Sequence, residues 1–161
     1  MELIKEFVLP DDLYWGKTQT REACRAVIFD ENNMMPILFV ATENYHKLPG
    51  WWIETGEEKI MALTRELKEE TWCEVEITKE IGIVIESNST WKQISYCYIG
   101  TIIKKSEHNF TDGEKEKWYE LQRASIDDAI QQIKSDISKT ETSKRILPRD
   151  LAILEKAKEI M

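Results

Sequence analysis

Residues 50–73 read GWWIETGEEKIMALTRELKEETWC, and they place several carboxylates on one helical surface. At about 100° per residue, the apolar side chains of this stretch fall within a narrow arc. The pattern predicts a helix over residues 56–71, whose buried stripe consists of Ile60, Leu63 and Leu67. Thr55, followed three residues later by Glu58, is typical of a capping box and predicts the start of this helix.

Three acidic residues share one face of the predicted helix. Glu66 and Glu70 are one turn apart and Glu69 lies beside them, so the three span an arc of roughly 100°. A solvated acidic face is one interpretation, since most charge runs are of that kind. Glu70 borders the apolar stripe, however, where an unpaired carboxylate is costly and where hard divalent cations take oxygen ligands. The other interpretation is therefore a magnesium-binding face.

The composition of the 161-residue chain predicts a single domain, residues 1–161, because 42% hydrophobic content supports one core. The formal net charge of −8 argues against a nucleic-acid partner or an anionic membrane surface. No segment approaches the ~18 apolar residues of a membrane span, and the amino terminus lacks a signal-peptide pattern. We therefore expect a cytoplasmic protein. Its three widely spaced cysteines indicate neither a disulfide framework nor a zinc site.

The rest of the chain alternates between strand and helix patterns. Strands are predicted at residues 23–29, 37–42, 75–86, 94–103 and 119–123, and the third and fourth form a hairpin. Ser125 is predicted to cap a helix with an apolar stripe of Ile126, Ala129, Ile130, Ile133 and Ile137. Residues 138–143 are predicted as a linker, and Pro148 as the start of a last helix that docks on the body or on a partner, which leaves a homodimer open. These elements predict an α/β or α+β sandwich with a mixed sheet flanked by helices.

Arg25 lies in the middle of the first predicted apolar strand. An arginine in a strand can donate two hydrogen bonds to a substrate phosphate, although it more often pairs with a carboxylate of its own protein. Both interpretations stay open. His46 and His108 have no Cys or His nearby at ligand spacing, so surface or packing roles are favoured for both.

The spacing of the charged residues resembles the Nudix box, G-x5-E-x7-R-E-U-x-E-E-x-G-U, where U is aliphatic. Glu57, the run Arg65-Glu66-Leu67 and the pair Glu69-Glu70 stand at the matching positions. Leu48-Pro49-Gly50 and Ile53-Glu54 also stand where that family has them. The resemblance implies an α/β/α sandwich and hydrolysis of a nucleoside diphosphate linked to another group, with Mg²⁺ or Mn²⁺ as cofactor.

The resemblance also implies roles for the matching residues. Glu66, Glu69 and Glu70 match the metal-binding and catalytic carboxylates, and Gly50 matches the residue whose backbone carbonyl joins them. Metal ions neutralise charge on the departing phosphate and lower the pKa of a bound water, which suits this chemistry.

Two further pairs of residues take roles from the same resemblance. Glu57 and Arg65 match the pair that braces the loop and orients the acids of the helix. The family often takes its general base from the box or from a later loop. Glu114 and Glu116 are the candidates in a later loop, with a solvated loop acid as the other interpretation of each.

The chain departs from the family pattern at its glycines. Trp51 and Trp72 replace the first and last glycines of the box, and Trp52 stands where the family commonly has another. The residue after the helix commonly adopts the left-handed conformation, which favours glycine. Tryptophan at 72 should therefore lower the free energy of unfolding by roughly 1–2 kcal/mol. Two indoles at 51 and 52 should crowd the loop beside the metals.

One hypothesis is that these three tryptophans, and Trp118, are glycines in the cell. Glycine and tryptophan codons can differ by one base, and UGA is read as glycine in some bacterial lineages and as tryptophan by other codes. UGG codons at 51, 52 and 72 would contradict the hypothesis.

The sequence favours a nucleoside triphosphate pyrophosphatase of housecleaning type, since marks of other substrate subgroups are mostly absent. One alternative is a catalytically impaired, Nudix-like nucleotide-binding module in which the tryptophans have abolished turnover. A third reading is an acidic interaction domain, which the absence of a metal-dependent thermal shift would support. The first two readings predict a small nucleotide as the partner.

Overall fold

The computed structural model describes residues 1–11, 19–106 and 119–161. The strands are β1 (Leu3–Val8), β2 (Gln19–Phe29), β3 (Met35–Val40), β4 (Tyr45–Lys47), β5 (Cys73–Ser87), β6 (Trp91–Lys105) and β7 (Glu120–Ala124). The helices are α1 (Lys59–Thr71), α2 (Ile126–Ser135) and α3 (Glu141–Ile160). None of these helices is both long enough and apolar enough to cross a bilayer.

The strands form two sheets. The larger sheet has the order β1-β5-β6-β2, in which β5 and β6 are the predicted antiparallel hairpin. Because β1 runs parallel to β5 and β2 runs parallel to β6, this sheet is mixed. The smaller sheet is antiparallel and has the order β4-β3-β7.

Two apolar cores lie on opposite faces of the larger sheet. Leu63 and Leu67 of α1 pack in one core with Ile28 of β2. The other core contains Val27 of β2 with the small sheet, α2 and α3, including Ile153. Successive strand residues point to opposite faces, so the buried half of β2 is apolar on both faces except at Arg25. This arrangement confirms the predicted α/β sandwich of a mixed sheet flanked by helices.

The predicted start of α1 is wrong by three residues. Glu58, and not Thr55, is the N-cap residue, and its side chain accepts a hydrogen bond from the Met61 N–H at 3.0 Å. Gly56 has φ of +84°, which no right-handed helix can include. The residues before Glu58 therefore form a turn, and the helix begins only after it.

The predictions for the last two helices need two corrections. Pro148 lies inside α3 and does not open it, because Thr140 and Ser143 form a capping box eight residues earlier in the chain. The proline removes one helical hydrogen bond, and burial of the flanking apolar side chains offsets that loss. Ser125 does cap α2, but the helix ends at Ser135, so Ile137 lies beyond it and is 68% exposed.

Candidate active site

Glu70 is the most enclosed of the three box acids, with 7% of its surface exposed. Its Oε2 accepts a hydrogen bond from the Gly50 N–H at 2.6 Å, and its Oε1 lies 3.8 Å from the Lys47 ammonium. Burial raises the pKa of Glu70 above its ordinary value, against the opposing effects of Lys47 and the Gly50 N–H. A carboxylate in this environment is stabilised by an additional cation.

Arg65 joins the loop before α1 to the acids of the helix. Its Nε and Nη2 donate to the two oxygens of Glu57, at 3.1 and 3.2 Å. Its Nη1 donates to Glu66 at 2.6 Å and lies 3.6 Å from a Glu69 oxygen. The hydrogen bonds from Arg65 hold the pKa of Glu57 below its ordinary value. One guanidinium therefore fixes the direction of several carboxylates.

The roles implied by the Nudix-box resemblance predict that Arg65→Lys lowers kcat/KM for nucleotide hydrolysis by about 10- to 100-fold. This is the usual cost of disturbing a residue that orients metal ligands. A lysine ammonium cannot bind both oxygens of Glu57 and still contact Glu66. Arg123→Lys is the control, because Arg123 binds Asp30, outside this group of acids. Equal kcat/KM in both variants would show that Arg65 does not orient the acids.

The three acids lie on one face of α1, but they do not converge on one point. In the part of the chain that the structure describes, no three carboxylate, thiol or imidazole groups are close enough to hold an ion as they stand. Arg65 Nη1 is the nearest cationic atom to Glu66. The donor set still suits Mg²⁺, since all three side chains supply hard oxygen atoms within one helical turn.

Gly50 lies where the chain passes closest to β2. A Cβ at this position would stand 2.3 Å from the Cys24 carbonyl oxygen, and the φ of +130° is unfavourable for any side chain. The next residues pair with β2, as shown by the hydrogen bond from Cys24 N–H to the Trp51 carbonyl at 3.0 Å. Glycine at 50 therefore lets the loop bring its N–H to Glu70.

The three tryptophans differ in their backbone. Trp72 caps α1 with φ 55° and ψ 24°, the left-handed conformation predicted for it, whereas Trp51 and Trp52 have no positive φ. The indoles of Trp51 and Trp52 are 41% and 40% exposed, and their ring centroids are 5.2 Å apart. Both residues lie partly in solvent, and both line the same cavity.

A cavity of about 390 Å³ adjoins Glu70 through Lys47. We call it the basic cavity, because four cationic side chains line it: Arg25, Lys47, Arg145 and Arg149. Trp51, Trp52 and Tyr45 contribute aromatic surface. A volume of this size falls in the range of small-molecule sites.

The cationic lining was only partly foreseen from sequence. Arg25 is a candidate from the sequence, but Arg145 and Arg149 are not. The available signal was the i,i+4 spacing of the two arginines on α3. Their burial depends on the docking of α3, which a single sequence does not specify.

The other candidates lie apart from this site or outside the described residues. Glu114, Glu116, His108 and Trp118 fall outside the residues that the structure describes. His46 has the packing role that was favoured, since its Nδ1 lies 3.0 Å from Asp136 and its Nε2 lies 3.2 Å from Gln122. All three cysteines are buried free thiols.

Several solved structures share this fold. A Nudix hydrolase from Nitrosomonas europaea aligns with a TM-score of 0.60 and 17% identity, over 82% of this chain and 88% of that one. A MutT Nudix hydrolase from Burkholderia pseudomallei aligns with a TM-score of 0.54 and 17% identity, over 81% and 97%. The Ap4A hydrolase of C. elegans aligns with a TM-score of 0.59 and 13% identity, over 88% and 98%. No protein-family model matches the sequence, and no curated protein matches it significantly.

The chain therefore has the fold of the Nudix hydrolases. Within that fold it carries the five charged residues of the Nudix box, with tryptophan at two of the box glycines.

Proposed function

We propose that the protein is a metal-dependent hydrolase of a phosphoanhydride bond in a nucleoside diphosphate-linked compound, and that its substrate is a nucleoside triphosphate. The observation that carries the proposal is the buried carboxylate of Glu70, which the Gly50 N–H fixes at 2.6 Å on the same face as Glu66 and Glu69. The shared fold with MutT and Ap4A hydrolase structures supports the proposal at the level of reaction class.

Glu66, Glu69 and Glu70, with the backbone of Gly50, are the residues that would hold Mg²⁺ or Mn²⁺. The bound ion would neutralise charge on the phosphate oxygens and lower the pKa of a water molecule. Glu66 has one oxygen occupied by Arg65 and a second oxygen available to an ion. Glu69 is the most exposed of the three, with 60% of its side chain exposed.

The chain's own residues orient this chemistry. Arg65 and Glu57 fix the carboxylates of α1, and Gly50 fixes Glu70. Preoriented groups of this kind lower a barrier because they need no rearrangement during the reaction. We propose Glu69, the most exposed of the three acids, as the group that accepts a proton from that water.

The test is hydrolysis of a nucleotide panel with Mg²⁺, with Mn²⁺ and with excess EDTA. We expect phosphate or pyrophosphate release from nucleoside triphosphates with either metal and none with EDTA, because the box acids alone cannot neutralise a polyphosphate. Restoration of activity when Mg²⁺ is added back is the control for irreversible damage. Absence of turnover across the panel with both metals would contradict the proposal.

A second candidate is a Nudix-like module that binds a nucleotide without hydrolysing it. The observation that favours it is the tryptophan at two of the box glycines. Calorimetry on the same panel distinguishes the two candidates. Micromolar binding without product release would support the module.

A further inference from the structure

Ion pairs occupy most of the charged side chains around the basic cavity. Besides its four cationic side chains, the lining includes Glu43, and three buried carboxylates pair with its cations: Glu70, Glu86 and Asp150. Asp150 accepts a hydrogen bond from Arg149 Nε at 2.7 Å, and Glu86 accepts one from Arg145 Nη1 at 3.2 Å. Lys47 lies 3.8 Å from Glu70, so among the described residues one cation of the lining has no carboxylate within 4 Å.

That cation is Arg25, whose exposed fraction is 6%. Its Nη1 donates to the Cys24 carbonyl oxygen at 2.8 Å, and its Nε has no hydrogen-bond partner among the described residues. Burial, together with the charge of Arg149, lowers the pKa of Arg25 to about 10. A buried guanidinium N–H without a hydrogen-bond partner is costly, so its presence points to a ligand.

A second guanidinium lining the basic cavity is also incompletely satisfied. Arg149 Nη1 has no hydrogen-bond partner among the described residues, and its distance of 3.7 Å to Glu86 is too long for a hydrogen bond. Arg149 is 1% exposed. Two buried arginines therefore retain donor capacity at one cavity, and guanidinium donors suit phosphate oxygens.

We propose that the basic cavity binds the terminal phosphate of a nucleoside triphosphate, a phosphate that is not part of the bond being cleaved, and that Arg25 is its main ligand. The assignment to that phosphate rests on the proposed function, which places the cleaved bond at the acids of α1. It selects nucleoside triphosphates over nucleoside diphosphate sugars, which have no third phosphate.

The geometry places the basic cavity next to the acids. Gly50 separates the two, since its N–H binds Glu70 while a Cβ on it would stand 3.1 Å from Arg25 Nη1. Consecutive phosphates of a single triphosphate can thus reach both the acids of α1 and the basic cavity. The exposed rings of Trp51 and Trp52 leave aromatic surface on the cavity wall for the nucleoside.

An uncharged base is a poorer occupant of the same space. It would accept hydrogen bonds from the arginines, but it offers no pair of charged oxygens for bidentate binding by a guanidinium. A phosphate supplies both acceptors and charge.

The test measures binding in the presence of EDTA, so that no turnover occurs and no metal joins the ligand to α1. The probes are tripolyphosphate and adenosine, titrated calorimetrically into the wild-type protein. We expect tripolyphosphate to bind and adenosine to bind far more weakly. Arg25→Gln should weaken tripolyphosphate binding by about 10- to 100-fold, the usual scale for a charged hydrogen bond.

Arg21→Gln is the matched control. Arg21 lies four residues earlier on β2, and its guanidinium stacks over Trp52 at 4.4 Å without lining the basic cavity. It should leave tripolyphosphate affinity unchanged. Arg25→Lys, which keeps the charge, should retain part of the affinity and serves if the glutamine variant does not fold.

The outcomes separate this inference from the proposed function. Absence of tripolyphosphate binding to the wild type, or equal losses in the Arg25→Gln and Arg21→Gln variants, would overturn the inference even if the protein hydrolyses nucleotides. Adenosine binding that depends on Arg25 would also overturn it, because the basic cavity would then hold the base. Binding of tripolyphosphate through Arg25 in a protein without turnover would overturn only the proposed reaction.

Discussion

Glu70→Gln should lower kcat/KM for nucleotide hydrolysis by roughly 10²- to 10³-fold or more, the scale of losing one group that stabilises developing charge. The substitution removes a negative metal ligand but keeps the side-chain volume. It also keeps an oxygen that can accept the Gly50 N–H, now at 2.6 Å from Glu70. We therefore expect the fold to be retained. Steady-state kinetics with Mg²⁺ and circular dichroism measure the two expectations.

The control for this variant is Glu74→Gln. Glu74 is the second residue of β5, just after α1. Its side chain is 40% exposed and pairs with Lys68 at 3.4 Å. Loss of this surface ion pair should change stability by less than about 1 kcal/mol and should not change kcat/KM. The thermal shift produced by Mg²⁺ should disappear in Glu70→Gln and persist in Glu74→Gln. Unchanged kinetics in the Glu70→Gln variant would show that Glu70 is not a ligand of the catalytic metal.

Local patterns predicted most of the elements around the site. Leu63 and Leu67 recur at helical spacing, so they are buried in α1, and Glu70 follows on the same side. The β5–β6 hairpin and the Ser125 cap also follow from alternation and from side-chain chemistry within a few residues. These features depend on contacts that are short in sequence.

Local sequence patterns do not predict, or predict at the wrong position, the features that depend on contacts between distant residues. The turn before α1 forms because Gly56 is left-handed and Glu57 reaches eight residues forward to Arg65. Pro148 is tolerated inside α3 because the helix is docked on the core through its neighbours. The basic cavity unites β2, β4 and α3, and its cationic side chains come from positions as far apart in the chain as Arg25 and Arg149. No local pattern encodes that meeting.

Trp72→Gly should raise the free energy of unfolding by about 1 kcal/mol, because a non-glycine residue in the left-handed region costs roughly 1–2 kcal/mol. The half-buried indole contributes packing that is lost, which reduces the net gain. The backbone hydrogen bonds, from Trp72 N–H to Lys68 and from Ser106 N–H to Trp72, each 2.9 Å, are kept. For a chain of this length, the midpoint temperature of thermal unfolding should rise by about 2–4 °C.

Two controls distinguish backbone strain at Trp72 from a general effect of glycine. Trp51→Gly removes an indole from a residue whose φ is not positive, so it should bring no gain in stability. Asn44→Gly acts at a left-handed φ of 56°, but asparagine tolerates that region, so its gain should be smaller than that of Trp72→Gly. A loss of stability in Trp72→Gly would mean that indole packing outweighs the strain. Tryptophan at 72 would then be a favourable replacement for the glycine, and the hypothesis that this codon specifies glycine would lose its structural support.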